Sequence, residues 1–215
     1  MNVVLLHGMG RTPVSMLRLR RRLGRAGHHG VLFGYAPTFE SLEHAAARLA
    51  KRMRALGDEP YALVGHSLGS VIIRNALAQL PVPPVACAFL APPMVACRAA
   101  RFFSRFRLYK ILAGEMGLRL ADAAFMDALP LPQVPTRLYV GVSGPRRRGL
   151  PFGTDANDMI LSVAEATGRF AGVVVEVPAV HTFIMHSRVV ADDLTGFLDS
   201  VGHNTHERMP HAATV

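Results

Sequence analysis

Six short apolar runs, separated by stretches of helical periodicity, constrain the fold of this chain more than any other feature. We place these runs at residues 3–6, 31–35, 61–64, 85–90, 137–142 and 173–177. Strands that are buried on both faces consist of continuous Val, Ile and Leu runs, and strands that alternate with helices form parallel sheets. The sequence therefore predicts an α/β fold with about six mainly parallel strands and helices on both faces.

The connecting segments are predicted from apolar residues at helical spacing and from capping residues. Thr12 and Pro13 are typical of an N-cap and a first helical residue. We predict helices over residues 13–26, 41–56, 71–80, 99–113, 117–128, 158–167 and 187–201. Residues 94–135, the least regular region, form a candidate helical cover segment. The expected organisation is one domain over residues 2–201, followed by a flexible polar tail over residues 202–215.

The composition indicates a folded protein of one domain. The chain has 215 residues, half of them hydrophobic, and no apolar run approaches the ~18 residues of a membrane-spanning helix. The first strand begins at once, without a basic leader or a cleavage site, so we expect a cytoplasmic protein; a removed signal peptide is the alternative. Two cysteines, Cys87 and Cys97, are too few for a disulfide framework, and Cys87 is expected as a free buried thiol.

The net charge of +9 comes almost entirely from arginine. Arginines are concentrated at residues 18–25 and 146–148. A solvated face explains such runs, and attraction to an anionic lipid surface or to an acidic substrate is the functional alternative. No nucleic-acid recognition motif accompanies the charge, so we expect no nucleic-acid partner.

Residues 65–69, Gly-His-Ser-Leu-Gly, form a turn between the third apolar run and a helix, and we name them the serine turn. A serine on such a sharp turn has strained backbone geometry, and the flanking glycines lack the Cβ atoms that would clash. Its hydroxyl stands at a helix N-terminus, where the dipole favours developing negative charge. This arrangement is typical of a nucleophilic serine; the alternative is an ordinary glycine-rich turn.

A serine hydroxyl becomes a useful nucleophile only when a base accepts its proton and a carboxylate orients that base. The candidate acids, Asp158 and Asp155, follow the fifth apolar run, and the candidate bases, His181 and His186, follow the sixth. We favour His181 because it comes soon after the strand, and Asp158 over Asp155. Asp155 and His186 remain the second choices. All these positions belong to the carboxyl ends of strands, where ligands bind in parallel sheets.

The developing oxyanion needs two backbone N–H donors. One is expected from Leu68, the residue after Ser67, and the other from Met9 in the glycine-rich turn after the first strand. Gly8 permits close approach there, and His7 is expected to anchor the loop. The alternative for His7 and Gly8 is an ordinary turn at the end of a strand.

Several motifs together resemble those of the small α/β-hydrolases in the class 2 lipase and PGAP1-like esterase group. Residues 5–11 and 64–69 carry the most specific part of this likeness. Residues 112–120 resemble the Gly-x-x-Gly-x-x-Leu stretch of small members, residues 157–160 their Asn-Asp-Gly-Val acid motif, and residues 181–185 their His-Ser/Thr-Phe motif. The resemblance covers residues 2–198.

The resemblance implies a minimal α/β-hydrolase core and a serine hydrolase that cleaves a small-molecule or lipid carboxylic ester through an acyl-enzyme. It implies Ser67 as nucleophile, Asp158 as acid, His181 as base, and the Met9 and Leu68 amides as oxyanion donors, with no cofactor and no metal. An acyltransferase with the same triad and a non-catalytic binding protein with the same fold are the alternatives.

This sequence departs from the group's pattern at three places. Ser70 replaces a common third glycine after the serine turn, and Met159 replaces the glycine after the acid. The first two strands of the full fold are absent from the predicted elements. The tail histidines His203, His206 and His211 are too loosely placed for a metal site.

Residues 101–112 mix aromatic and cationic side chains, as interfacial helices do. This pattern favours either a lid over residues 99–112 that contacts lipid, or a helix packed onto the domain. The sequence leaves both interpretations open, together with the oligomeric state.

Overall fold

All six predicted strands are present, and they pair side by side in parallel, in the order β2-β1-β3-β4-β5-β6. The computed structural model describes residues 1–103, 105 and 107–208. The strands are β1 (Asn2–Leu6), β2 (His29–Phe33), β3 (Tyr61–His66), β4 (Ala86–Leu90), β5 (Thr136–Gly141) and β6 (Val173–Val177). Only β2 lies two residues away from its predicted position. The central strands β3 and β4 are completely buried, as their apolar sequences require.

Helices connect the strands and cover both faces of the sheet. The α-helices are α1 (Leu17–Arg25), α2 (Leu42–Arg54), α3 (Leu68–Ala76), α4 (Arg98–Phe103), α5 (Arg107–Arg119), α6 (Ala123–Ala128), α7 (Val163–Thr167) and α8 (Arg188–Arg208). Three short 3-10 helices occupy Pro13–Met16, Leu77–Gln79 and His181–His186. None of the helices among the described residues is long and apolar enough to cross a membrane.

Several of the predicted helix boundaries differ from the structure. The first helix begins as a 3-10 turn at Pro13, and the Thr12 side chain makes no capping hydrogen bond. The predicted helix 158–167 starts only at Val163. The predicted helix 117–128 is divided, because the Asp122 carboxylate accepts from the Phe125 amide and caps α6.

The last helix, α8, continues to Arg208, beyond its expected end at residue 201. Residues 202–208 of the expected tail are therefore helical. The rest of the predicted tail, residues 209–215, lies outside the described residues.

Two apolar clusters lie on opposite faces of the sheet. On one face α2, α3, the cover segment and α7 pack against alternate residues of the strands; on the other face the 3-10 helix Pro13–Met16, α1 and α8 do so. The two cysteines are free and buried in the first cluster. Burial raises the pKa of the Cys97 thiol to about 11, so this thiol is protonated near neutral pH.

The chain order of the strands creates a crevice at the carboxyl end of β1. From β1 the chain pairs β2 on one side and then crosses to pair β3 on the other. The loops after β1 and β3 therefore leave the sheet side by side, at the switch point where ligands bind in parallel sheets. These loops carry His7–Gly10 and the serine turn.

The cover segment is fastened to α3 by Arg74, the largest completely buried side chain. Its guanidinium donates to the carbonyl oxygens of Met94, Met126, Leu129 and Pro130 at distances of 2.7–3.3 Å. These acceptors lie at the beginning and near the end of the cover segment. Burial lowers the pKa of Arg74 to about 10, which leaves it charged at neutral pH.

Replacing Arg74 with Met should therefore destabilise the fold, because the buried carbonyls lose their donors. We expect the free energy of unfolding in urea to fall by about 2–4 kcal/mol. Arg54→Met, at an exposed position of α2, is the matched control and should change it by less than about 0.5 kcal/mol. Equal stability of the two variants would contradict this role of Arg74.

Candidate active site

Ser67 lies between the end of β3 and the start of α3, with φ 49° and ψ −117°. This conformation is costly for a residue with a side chain and persists only where the surroundings enforce it. The turn is closed by two bonds: the Ser67 amide donates to the Leu90 carbonyl (2.9 Å), and the Ser70 hydroxyl donates to the Ser67 carbonyl (2.6 Å). Ser70, which departs from the family pattern, thus has a structural partner within the turn.

The glycines of the serine turn are required by close packing. A Cβ atom on Gly65 would lie 2.5 Å from the Ser70 nitrogen, and one on Gly69 would lie 2.7 Å from the Leu6 carbonyl oxygen. Cβ atoms in real proteins essentially never approach another heavy atom this closely. The start of α3 therefore packs in close contact with β3 and with the end of β1, and this packing fixes the position of the Ser67 hydroxyl.

The fold brings together three residues that are distant in sequence. The Ser67 Oγ lies 2.9 Å from Nε2 of His181, and the other ring nitrogen, Nδ1, lies 2.7 Å from Oδ2 of Asp158. Nδ1 faces a carboxylate and therefore carries the proton, so Nε2 is free to accept the serine hydroxyl. The side chain of His181 is 10% exposed and that of Asp158 2%, which leaves little water to compete for these bonds.

His181 is the first residue of the 3-10 helix that follows β6, rather than part of an irregular loop. Its amide donates to the Asp158 carbonyl (2.9 Å), and its carbonyl lies 3.0 Å from Nε2 of His66. A bond to a carbonyl requires the proton on Nε2 of His66, so Nδ1 of that ring is unprotonated. His66 was missed by sequence reasoning, although it lies within the serine turn.

Asp158 lies in a tight turn and not at the start of a helix. Its Oδ1 accepts from the amides of Ile160 (2.9 Å) and Leu161 (2.7 Å), so Oδ2 alone faces His181. Met159 has φ 83°, a left-handed conformation that favours glycine. A glycine, which the resembling group has at this position, would adopt this conformation without strain, whereas the exposed Met159 adopts it at some cost.

Asn157 braces the turn that holds Asp158. Its Oδ1 accepts from the Met159 amide (3.0 Å), and its Nδ2 donates to the carbonyls of Asp155 (2.9 Å) and Pro145 (3.1 Å). A Cβ atom on Gly144 would lie 1.7 Å from Oδ1 of Asn157, so this neighbour has to be glycine. The motif resemblance over residues 157–160 includes Asn157 but implies no role for it.

The two second choices lie outside this arrangement. The Asp155 side chain is 64% exposed and lies 3.9 Å from the Arg98 guanidinium. His186 ends the 3-10 helix, with its ring beside that of Phe183. Among the described residues, neither side chain hydrogen-bonds to Ser67 or His181.

The loop after β1 adjoins the serine turn. The buried His7 ring stacks on Tyr35 (4.2 Å between centroids), its Nδ1 donates to the Gly8 carbonyl (2.9 Å), and the Tyr35 hydroxyl donates to the His7 carbonyl. A Cβ atom on Gly8 would lie 2.7 Å from Nδ1 of His66. His7 thus anchors the loop as expected and carries Met9 to the edge of the crevice above Ser67.

A cavity of about 310 Å³ opens at Ser67. The cover segment supplies four of its wall residues, Cys97, Ala99, Ala100 and Leu120. Helix α4 therefore borders the site, whereas the side chains of most of residues 101–112 lie outside the described part. A larger open groove, lined by arginines, separates α1 from α8 and contains none of the three residues. In the described part of the chain no three His, Cys, Asp or Glu side chains form a group suited to a metal.

Solved structures similar to this one are α/β-hydrolases. The lipase BlEst2 of Bacillus licheniformis, in mature form, has a TM-score of 0.70 and 15% identity over 93% of this chain and 91% of that one. A monoacylglycerol lipase of Paleococcus ferrophilus has a TM-score of 0.63 and 17% identity, with 94% of each chain covered. A pyrethroid hydrolase of Sphingobium faniae JZ-2 has a TM-score of 0.63 and 15% identity, over 94% and 99%.

At these identities the likeness establishes the fold, and the predicted α/β-hydrolase fold is confirmed. No protein-family model matches the chain, and no curated protein matches it in sequence. The activities named for these similar structures belong to those proteins and are not assigned to this chain by structural similarity.

The buried His66 generates a prediction about pH. Burial first, and then the neighbouring His181, lower the pKa of His66 well below 6.5, so the folded state keeps it neutral. The unfolded chain takes up this proton near pH 6.5, and stability present above that pH is therefore lost as the pH falls. Burial also lowers the pKa of His7, so protonation of His7 in the unfolded chain likewise reduces stability as the pH falls.

His66→Gln should weaken this dependence, because one such proton is removed from the difference between the two states. Between about pH 6.5 and about pH 5, the free energy of unfolding should fall less steeply than in the wild type, by up to about 1.4 kcal/mol per pH unit. Urea unfolding at a series of pH values measures this slope. Identical slopes for the two proteins would show that His66 is protonated in the folded state.

Proposed function

We propose that this protein is a serine hydrolase that cleaves carboxylic esters through an acyl-enzyme on Ser67. The chain of hydrogen bonds from Ser67 through His181 to Asp158, at 2.9 and 2.7 Å, is the observation that carries the proposal. Two further features support it: the strained turn that exposes the hydroxyl, and the cavity that opens at it. The motif resemblance to class 2 lipases and PGAP1-like esterases points the same way.

In the first step the Ser67 oxygen attacks the carbonyl carbon of the ester. Its proton passes to Nε2 of His181, which is correctly placed because Nδ1 already donates to Asp158. The resulting imidazolium is stabilised by the buried carboxylate. When the carbon–oxygen bond to the alcohol breaks, Nε2 returns the proton to the departing alkoxide, and an ester of Ser67 remains.

Water then completes the cycle. It gives a proton to Nε2 of His181 while its oxygen attacks the acyl carbon, and the proton returns to the Ser67 oxygen as the carboxylic acid leaves. An alcohol in place of this water would give acyl transfer, and analysis of products with an added alcohol distinguishes the two outcomes.

The oxyanion of both tetrahedral intermediates is assigned to the amides of Leu68 and Met9. Leu68 is the first residue of α3, and the first amides of a helix lack an acceptor within it. Met9 lines the cavity from the neighbouring loop, which His7 and Gly8 hold against the serine turn. Donors held in this way need no reorganisation when negative charge develops.

The substrate class follows from the cavity. Its volume of about 310 Å³ is at the small end for ligand pockets, and its cover-segment wall is made of small and apolar side chains. We therefore assign esters with short acyl chains. Lipases are among the similar structures, which is consistent with an ester substrate.

Removing the Ser67 hydroxyl tests the proposal directly. Ser67→Ala should reduce turnover of p-nitrophenyl butanoate at least about 1,000-fold and abolish labelling by a fluorophosphonate, because the nucleophile is lost. Ser200→Ala, at an exposed position of α8, is the matched control and should behave as the wild type. Turnover or labelling that survives in Ser67→Ala would exclude Ser67 as the nucleophile, and a wild type that does not label would indicate a non-catalytic protein.

The two aspartates of the same loop provide a matched pair. Asp158→Asn should lower kcat about 100- to 10,000-fold, because an amide no longer holds His181 in the required tautomer. Asp155→Asn should retain wild-type kcat, since that side chain is exposed and distant from the ring. Thermal unfolding of both variants checks that they remain folded. A larger loss in Asp155→Asn than in Asp158→Asn would reverse the assignment of the acid.

A further inference from the structure

Arg11 is the one cation on the wall of the cavity at Ser67, and no carboxylate is among the described wall residues. It follows the loop that carries Met9, and its side chain is half-buried. The described ion pairs of Asp158 and Asp155 are with His181 and with Arg98, so neither carboxylate is paired with Arg11. Within the described part of the chain, Arg11 takes part in no ion pair.

The side chain of Arg11 is held in place by neutral groups. Nη2 donates weakly to the Thr182 carbonyl (3.4 Å), and the guanidinium lies 5.9 Å from the centre of the Phe183 ring. Both contacts are to the 3-10 helix that begins with His181. A guanidinium has several N–H donors, and the contacts described here use one of them. An oriented cation with unused donors is well suited to bind an oxyanion.

The surroundings add to the positive potential at this point. Arg11, Arg18 and Arg22 all contribute, after burial, to lowering the pKa of the nearby His186. The chain as a whole is also positively charged, with a net charge of +9. Clefts with one sign of charge concentrate ligands of the opposite sign.

We propose, on the basis of the proposed ester hydrolysis, that the preferred substrates carry a negatively charged group near the ester, and that Arg11 binds this group. The cavity accepts the uncharged part of the substrate against Ala99, Ala100 and Leu120, while the carboxylate or sulfonate faces the guanidinium at the rim. A fully neutral ester makes only the apolar contacts. The charge on the substrate thus acts as a determinant of specificity.

Arg11 could instead serve only as a tether between the loop of Met9 and the helix of His181. In that case its removal would misplace the oxyanion donor and the base, and all esters would lose activity by the same factor. A role in recognition predicts a different result, because only the charged ester loses a partner. The ratio of the two activities therefore separates recognition from tethering.

The experiment uses pairs of p-nitrophenyl and aryl esters that differ in one charge. For charge on the acyl side, mono-p-nitrophenyl adipate is compared with its neutral methyl ester; for charge on the alcohol side, 4-butanoyloxybenzenesulfonate is compared with phenyl butanoate. The wild type should have a kcat/KM at least about tenfold higher for the charged member of one pair, mainly through a lower KM. In Arg11→Gln this ratio should fall about tenfold, and high salt should reduce it in the wild type.

Arg25→Gln is the matched control. Arg25 is an exposed residue of α1 that lines the groove between α1 and α8, so its loss changes the net charge equally without touching the cavity. It should keep the wild-type ratio. No preference for either charged ester in the wild type, or equal losses for both members of a pair in Arg11→Gln, would overturn the proposal.

A binding measurement separates this inference from the catalytic proposal. Calorimetry of Ser67→Ala with monomethyl adipate should detect binding at least about tenfold tighter than of neutral dimethyl adipate, and Arg11→Gln in the same background should abolish the difference. If the wild type hydrolyses no ester but this difference is found, the hydrolase proposal fails and the anion site stands. If Ser67→Ala binds the two ligands equally, the proposal of an anion site at Arg11 fails.

Discussion

The backbone conformation of Ser67 is the constraint on which the rest of the site depends. A positive φ at a residue with a side chain costs free energy, and it persists here because the packing around the turn enforces it. Gly65 and Gly69 allow α3 to press against β3 and β1 at distances that exclude any Cβ atom. The same contacts place the amide of Leu68 and the loop of Met9 next to the Ser67 hydroxyl. The position of the Ser67 hydroxyl therefore depends on both the order of the strands and the placement of these two glycines.

The turn that holds Asp158 also contains a residue with a side chain and a positive φ, Met159. Asp158 is fixed because the amides of residues 160 and 161 occupy one of its oxygens, and this requires the left-handed conformation of Met159. Where the resembling family has glycine, this chain has methionine, and the bonds of Asn157 hold the turn together. The strain at Met159 is thus offset by hydrogen bonds that the neighbouring side chains make within the turn.

Local patterns in the sequence predicted the strands, the serine turn and the partners Asp158 and His181, because apolar runs and turn residues act over short distances. The helix predicted from residue 158 was wrong for a local reason too: an Asp side chain that accepts nearby backbone amides competes with helix formation. The Ser162 and Glu165 capping box, four residues later, was the signal of the true start. The partners of His66 and Arg74 could not be predicted, because their acceptors are carbonyls that only the tertiary structure brings near.

Helix α3 links the stability of the fold to the geometry of the site. Its first residue follows Ser67, and Arg74, two turns later on the same helix, binds both ends of the cover segment. The part of the cavity wall that this segment supplies is therefore bound to the same helix that begins directly after Ser67. Helix α3 is buried in the core over most of its length, so its packing fixes the start of the helix beside Ser67 and the position of Arg74 together. The dimensions of the cavity at Ser67 accordingly depend on the packing of α3 and on the hydrogen bonds of Arg74, both of which lie in the buried core.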